Sequence, residues 1–241
     1  MKILSIGIHM DDCEFGMGDI AALLAKRGHE VLFLNPKQYM HYIGGVDGAN
    51  EQSIHAAEIL SCQKIILNYD LTKYYINNEK SIRETEAVIR DFQPDIVFIM
   101  HPKDNHIEHV ECYKTSRDAL FAAAVDGIAP NEVYTYEAGP NQSMTYFVPD
   151  LFIDVTSVEE TLKACTVSFA QKHADGNRLW REKTVIAELR GHVCGVRLAE
   201  GLRILKFPEG NNGFLLQEAL KDCFLWNGSK MYYPRTEEFM K

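Results

Sequence analysis

Long apolar runs are missing: no stretch approaches the roughly 20 residues that a membrane-spanning helix needs, so no membrane partner is expected. Basic runs are missing too. None exceeds two residues and the formal net charge is −9, whereas a nucleic-acid partner calls for a basic face. The six cysteines (13, 62, 112, 165, 194 and 223) show no CxxC spacing. The N-terminus reads as a buried strand and not as a signal peptide, so the thiols are expected to be reduced in a cytoplasmic protein. The glycine-rich fingerprint G-x-G-x-x-G does not follow the first apolar segment, which argues against a dinucleotide. No repeat, low-complexity segment or linker divides the chain. One domain is expected over residues 1–241, with a core at 1–205 and a C-terminal extension at 206–241.

What is present in the first half is alternation. Lys2 to Ile8 reads as a buried strand, and Ile20, Leu23 and Leu24 have helical spacing ahead of Gly28. Glu30 to Leu34 is a second strand, residues 37–50 a polar, glycine-rich loop, Ala56, Ile59 and Leu60 a helix face, and Lys64 to Leu67 a third strand. Ser81 and Glu84 have capping-box spacing for a helix that Pro94 ends. Asp95 to Met100 is a continuous apolar strand, followed by a helix from Val110 to Ala124. Such alternation predicts an α/β, Rossmann-like, mostly parallel sheet with helices on both faces. Beyond about residue 140 the pattern weakens into a less regular C-terminal part. It retains a strand at Leu151 to Val155, a capped helix carrying Leu162, Cys165 and Phe169, and a long helix from Leu179 to Leu202. Gly191 and Gly195 in that helix suggest close approach of another backbone.

The chemistry concentrates in two places. His9-Met10-Asp11-Asp12-Cys13-Glu14 packs one imidazole and three carboxylates directly behind the first strand. Acids crowded beside a buried strand call for a neutralising cation. Behind the Asp95–Met100 strand lies His101-Pro102-Lys103-Asp104-Asn105-His106-Ile107-Glu108-His109. In open parallel sheets, sites gather beyond the carboxyl ends of strands, so neighbouring strands would bring both clusters to one crevice. His106 and His109, three apart at a helix start, can share a face, and His9 and Asp12 face them from the opposite loop. Two histidines and a carboxylate with an open position suit catalytic zinc, which acidifies water. Of the two tandem aspartates, one can bind metal while the other takes the proton of the water. The second-cluster histidine that is not a ligand can be held protonated by Glu108 or Asp104, to stabilise an oxyanion or serve a leaving amine. Taken alone, the Asp-Asp pair reads as a helix cap with a solvated neighbour; the case rests on the two clusters together.

These residues resemble the PIG-L/LmbE-like family of zinc-dependent N-deacetylases, whose first signature, A-H-P-D-D-x-E followed by a glycine-containing turn, is matched by Ile8 to Gly18, and whose second, H-x-D-H, is matched by His106 to His109. Weaker echoes at 56–60, 149–156 and 190–200 extend the resemblance over most of residues 1–205. It implies that His9, Asp12 and His109 bind zinc (Fe2+ being the alternative) and that Asp11 is the general base. It implies that His106 stabilises the oxyanion or protonates the amine, while Glu108 orients and charges His106. It further implies an N-acetylated small-molecule substrate of the N-acetylglucosamine type and a homo-oligomer, hexamer or trimer. Met10 stands where the family has Pro, and Glu108 where it has Asp, which extends that carboxylate's reach. An arginine that relatives carry near the position of Ala49 or Asn50 is absent, which leaves the substrate's identity open.

Rival readings are another single-metal hydrolase, such as an esterase or phosphoesterase, and a non-catalytic Rossmann-like binding module. The roles of Cys13, Glu14 and Asp104 stay unassigned. His29, His55, His173 and His192 read as surface or satisfied positions, His41 as a possible wall of the site and His101 as a strand end. Tyr42, Tyr136 and Trp180 are aromatic candidates for a sugar ring, with the core as their more ordinary fate.

Overall fold

A computed structural model describes residues 1–37, 46–69, 73–139, 147–169, 178–206 and 214–226. Its strands are β1 (Lys2–Ile6), β2 (Glu30–Asn35), β3 (Gln63–Ile66), β4 (Ile96–Met100), β5 (Glu132–Tyr136), β6 (Leu151–Asp154), β7 (Ala199–Lys206) and β8 (Phe224–Trp226). They form one eight-stranded sheet in the order β3-β2-β1-β4-β5-β7-β6-β8. The first five pair in parallel, while β7, β6 and β8 close the other end in antiparallel fashion. The helices are α1 (Asp12–Lys26), α2 (Val46–Ile59), α3 (Glu79–Phe92), α4 (Ile107–Val125), α5 (Glu159–Phe169), α6 (Arg178–Cys194) and α7 (Leu215–Leu220). The expected α/β class, with a mostly parallel sheet, is therefore the one observed.

The parallel half follows from the sequence directly. Ile3, Leu4 and Ile6 of β1 and all five residues of β4 are buried, as strands covered on both faces must be. α3 turns Thr85, Ile89 and Phe92 inward, and Gln93 stops it in the left-handed region at φ 52 just before Pro94. The cap differs from expectation. Ser81 is the third helical residue and not the cap: its N donates to Asn78 Oδ1 at 3.0 Å, and Asn78 N donates to Ser81 Oγ at 2.9 Å. The polar loop expected over 37–50 is also shorter, because α2 begins at Val46; residues 38–45 lie outside the described ones.

The long helix expected to reach Leu202 ends at Cys194. Gly195 adopts φ +71, and the chain turns back as β7. The buried positions Leu198, Ala199 and Leu202 have helical spacing by coincidence, so periodicity alone could not separate strand from helix there. Gly191 does serve a close approach: a Cβ there would lie 2.4 Å from the Arg197 carbonyl oxygen, within this same turn. β5 and β7 went unread, although they join the parallel half of the sheet to its antiparallel end.

Candidate metal centre

β1 lies between β2 and β4, where the strand order reverses, and the crevice beyond such a reversal is where open α/β sheets hold ligands. The chain leaving β1 is pinned from several sides. Asn35 Nδ2 donates to Gly7 O at 3.1 Å and also to His9 O. Ser53 Oγ and Lys64 Nζ each donate to Met10 O at 2.6 Å. Gly7 must be a glycine, because a Cβ there would fall 2.7 Å from Asp12 Cβ and 2.9 Å from the Tyr136 hydroxyl. Asp12, buried, opens α1 and accepts from His9 N at 2.7 Å through Oδ2.

The second cluster follows β4. Asp104 turns the chain by accepting from His106 N at 2.7 Å. His106 caps α4, its Nδ1 accepting from Glu108 N at 3.3 Å, and His109 lies in the helix's first turn.

These two segments meet. His9 Nδ1 lies 3.3 Å from Asp12 Oδ2, His109 Nε2 lies 3.4 Å from Asp12 Oδ1, and the two imidazole nitrogens are 3.3 Å apart. One donor atom from each of the three residues lies within 4.8 Å of the others. Behind each ring stands a carboxylate: Glu108 Oε2 at 2.9 Å from His9 Nε2, and Asp104 Oδ2 at 2.9 Å from His109 Nδ1. A carboxylate on the outer nitrogen keeps the proton there and turns the lone pair of the inner nitrogen towards the centre, the arrangement metal-ligating histidines almost always have. All three donor residues are buried.

The electrostatics point the same way. Burial works against charge on His9, yet Asp12, with Glu108 hydrogen-bonded behind, pushes its pKa up to about 9. The same opposition of burial to Asp12 and Asp104 pushes His109 up to about 10. Burial would raise the Asp12 carboxyl, but His109 and His9 hold it well below the usual carboxylate range. The pocket therefore demands positive charge between its carboxylates, and a divalent cation meets that demand as well as protons do. The donor set, two imidazoles and one carboxylate, fits zinc with a position left open.

The remaining predicted residues are placed as follows. Asp11 is the residue before α1, and its side chain makes no capping hydrogen bond. Burial and the adjacent Asp12 push its carboxyl up, against the pull of His9 and Lys64. His106 is half-buried, with its ring stacked on His109 at 4.5 Å and edge-on to His9 at 4.9 Å. Burial and the rings of His109 and His9 push its pKa down, so the structure departs from the expectation of a His106 held protonated. Glu108 departs from its expected place as well. Its carboxylate binds His9, Lys37 and the backbone N of Tyr75, the last at 2.7 Å, and not the His106 ring. A second donor group, His9, His106 and Glu108, overlaps the first through His9, but there the Lys37 ammonium already neutralises Glu108.

Sequence reasoning missed Lys37, Asn35, Ser53 and Lys64, whose residue types carry no signal until the fold brings them in. It left Asp104 and Glu14 unassigned; Asp104 backs His109, and Glu14 pairs with Lys64 at 2.5 Å. Cys13 is a buried thiol, raised to about 12 by burial and Glu14. Tyr136 is buried and donates its hydroxyl proton to Ile6 O at 2.9 Å, so it is a core residue and not a sugar platform. His101 directly follows β4, its ring edge-on to Phe147 at 5.0 Å. His55 and His192 are exposed and Trp180 is half-buried. His41, Tyr42 and His173 lie outside the described residues.

Residues 4–120 match the family model described as PIG-L, GlcNAc-PI de-N-acetylase. The chain is similar to the uncharacterized deacetylase YaiS of Escherichia coli (strain K12), 32% identical over 120 residues, which are 47% of this chain and 65% of that protein; the match thus spans just under two thirds of the relative. It is also similar to the diacetylchitobiose deacetylase of Thermococcus kodakarensis, 27% identical over 222 residues, covering 85% of this chain and 83% of that one. Among solved structures, a 4-carboxy-2-hydroxymuconate hydratase from Pseudomonas putida KT2440 superimposes with a TM-score of 0.74 at 22% identity, over 88% of this chain and 99% of that one. That likeness shows the fold alone, since a fold does not carry its chemistry with it.

Proposed function

We propose that the chain, whose residues 4–120 match the PIG-L family model, is a metal-dependent N-deacetylase. It removes an acetyl or other short acyl group from an N-acylated amine, with an N-acetylglucosamine-type sugar or conjugate as substrate and zinc as the metal. The observation that carries this reading is the convergence of His9, Asp12 and His109 on one point, each imidazole backed by its own carboxylate. The relatives named as deacetylases support the reaction class.

His9, Asp12 and His109 hold the ion. When bound, it supplies Lewis acidity, which acidifies water and draws negative charge onto the amide oxygen. Asp11 takes the proton as water's oxygen attacks the carbonyl carbon. Its raised pKa suits a base that must later release that proton to the departing nitrogen as the C–N bond breaks. His106 offers a hydrogen bond to the developing oxyanion. Its Nδ1 accepts from Glu108 N, so the neutral ring carries its proton on Nε2, and the half-buried ring stands beside His109 at the rim. A neutral imidazole suffices for this donation, so the lowered pKa of His106 is no obstacle.

The protein works in the cytoplasm on this reading. Five of the six cysteines are buried, and their spacing suggests no disulfide framework. Among the described residues no helix is long and apolar enough to cross a membrane. A homo-oligomer, trimer or hexamer, is proposed from the resemblance, and sedimentation would read it.

The test is release of primary amine from a panel of N-acetyl amino sugars and their conjugates, by protein stripped with chelator and then reloaded with zinc. Nitrophenyl acetate and nitrophenyl phosphate serve as parallel substrates. Zinc-dependent amine release supports the reading. Zinc-dependent turnover of the phosphate ester alone, or stoichiometric zinc with no amine release from any substrate, overturns it.

A further inference from the structure

We propose that Lys37 is a positioning residue of the metal centre: it clamps Glu108 so that Glu108 in turn fixes the direction and tautomer of His9. The inference rests on the reading of His9 as a metal ligand.

The geometry starts at the backbone. Just beyond β2, Lys37 N donates to Ile8 O at 3.0 Å, which carries the pairing of β1 and β2 one step past the sheet and brings the lysine to the site's edge. Lys37 is 8% exposed. An ammonium taken that far out of water is costly unless paired, and its Nζ is spent on Glu108 Oε1. Glu108 has a buried side chain and sits in the first turn of α4. Its two oxygens divide their partners: Oε1 takes Lys37 and the N of Tyr75, and Oε2 takes His9 Nε2. A glutamate has three side-chain torsions, so one backbone N–H holds it loosely. The lysine adds the charged contact that keeps Oε2 on the imidazole.

Two alternatives fail on the same contacts. Lys37 is not a free cation for an anionic substrate, because its nitrogen is already committed to Glu108. Nor is Glu108 a spare ligand for a second ion, because the ammonium occupies that role. The length of Glu108 also fits: the side chain must reach from α4 both to His9 on one loop and to Lys37 on another. This accounts for a glutamate where the resembling family has aspartate.

The experiment compares wild-type protein with K37M, K37Q and K37R. Zinc affinity is measured by competition with a chromophoric chelator, and the His9 imidazole is read by long-range proton–nitrogen NMR of the zinc-loaded protein. Outer carboxylates and their partners typically govern metal affinity by roughly 10–100-fold. K37M is expected to lose about that much, K37Q to fall between, and K37R to recover most of it. The wild type should show a single His9 tautomer protonated at Nε2, and K37M a loss of that uniformity. A merely structural lysine would lower thermal stability without moving either readout. Wild-type zinc affinity together with an unchanged His9 signal in K37M, or in K37Q should K37M fail to fold, overturns the proposal and leaves the deacetylase reading standing. Zinc binding by the wild type without deacetylation, with K37M weakened, overturns that reading and leaves this one. A wild type that binds no zinc overturns both.

Discussion

Replacing Lys64 by Met should destabilise the metal-free protein more at pH 8 than at pH 5. Lys64 and Glu14 are an ion pair at 2.5 Å, and both side chains are 0% exposed. Burial pushes the Glu14 carboxyl up to about 7 even though Lys64 opposes the shift. Removing the ammonium leaves only the raising influence, so in the variant Glu14 holds its proton to still higher pH. At pH 8 folding must then either bury an unpaired carboxylate or bind a proton. With a wild-type pKa of about 7, a variant that keeps the proton forgoes at pH 8 about 1.4 kcal/mol of ionisation free energy, on top of what it loses at pH 5. At pH 5 Glu14 is already protonated in the native state, and the loss shrinks towards that of hydrogen bonds, about 1–2 kcal/mol. One of those lost bonds is the donation from Lys64 to Met10 O, where Ser53 remains. The sign follows from linkage. A native pKa raised above the unfolded one gives stability that is fully present below the unfolded value and lost as pH rises through the native value. Here that window runs from ordinary glutamate up to about 7, and the variant extends it upward. For a chain of this size each kcal/mol moves the melting temperature by about 2–4 °C, so a drop of about 10 °C at pH 8 is expected. The assay is thermal unfolding with chelator present at both pH values, because bound metal would add its own pH dependence. K64M/E14Q should recover much of the loss at pH 8. Equal destabilisation at the two pH values would refute the reasoning.

D11N should keep zinc affinity by chelator competition and lose about 10²–10⁴-fold in turnover, the usual worth of a general base; full activity in D11N would remove Asp11 from that role. G16A should destabilise by about 1–3 kcal/mol or more, the cost of overpacking. Its Cβ would fall 2.1 Å from the Tyr136 ring, which the hydroxyl bond to Ile6 O holds in place; a melting temperature unchanged in G16A counts against that packing. Asp19 is pushed up to about 7 by burial, against the pull of Lys183, so its ionisation takes stability away as pH rises from the ordinary aspartate range to about 7. D19N should flatten stability against pH in that interval, and an unchanged slope in denaturant titrations would contradict the assignment.

The legible parts of this fold are local. An apolar strand followed at once by His9 to Glu14 is visible because everything it needs is contiguous, and the same holds for β4 with the run from His101 to His109. β7 was illegible for the opposite reason. Its apolar positions satisfy a helix as well as a strand, and only the turn at Gly195 decides between them. Asn35, Ser53 and Lys64 come from β2, α2 and β3 and meet the first motif only in the folded chain, as Lys37, just after β2, meets Glu108 of the second. Each is an ordinary residue in its own neighbourhood, so no window of sequence could have singled it out.

Glu108 shows how sequence proximity misleads in a particular way. It stands two residues after His106 and was expected to serve that ring, and its carboxylate does come within 4.8 Å of a His106 nitrogen. Once α4 begins at Ile107, His109 lies on the side of His106, as the stacking of their rings shows. The hydrogen bonds of the Glu108 carboxylate nevertheless go across the crevice, to His9, Lys37 and Tyr75 N. The near neighbour Asp104 precedes the helix, so helical geometry does not bind it, and it reaches His109 five residues away. The two imidazoles that close on Asp12 are thus each held from behind by a carboxylate of the second segment. That makes the two motifs one site, because the first loop's histidine is set by a carboxylate of α4.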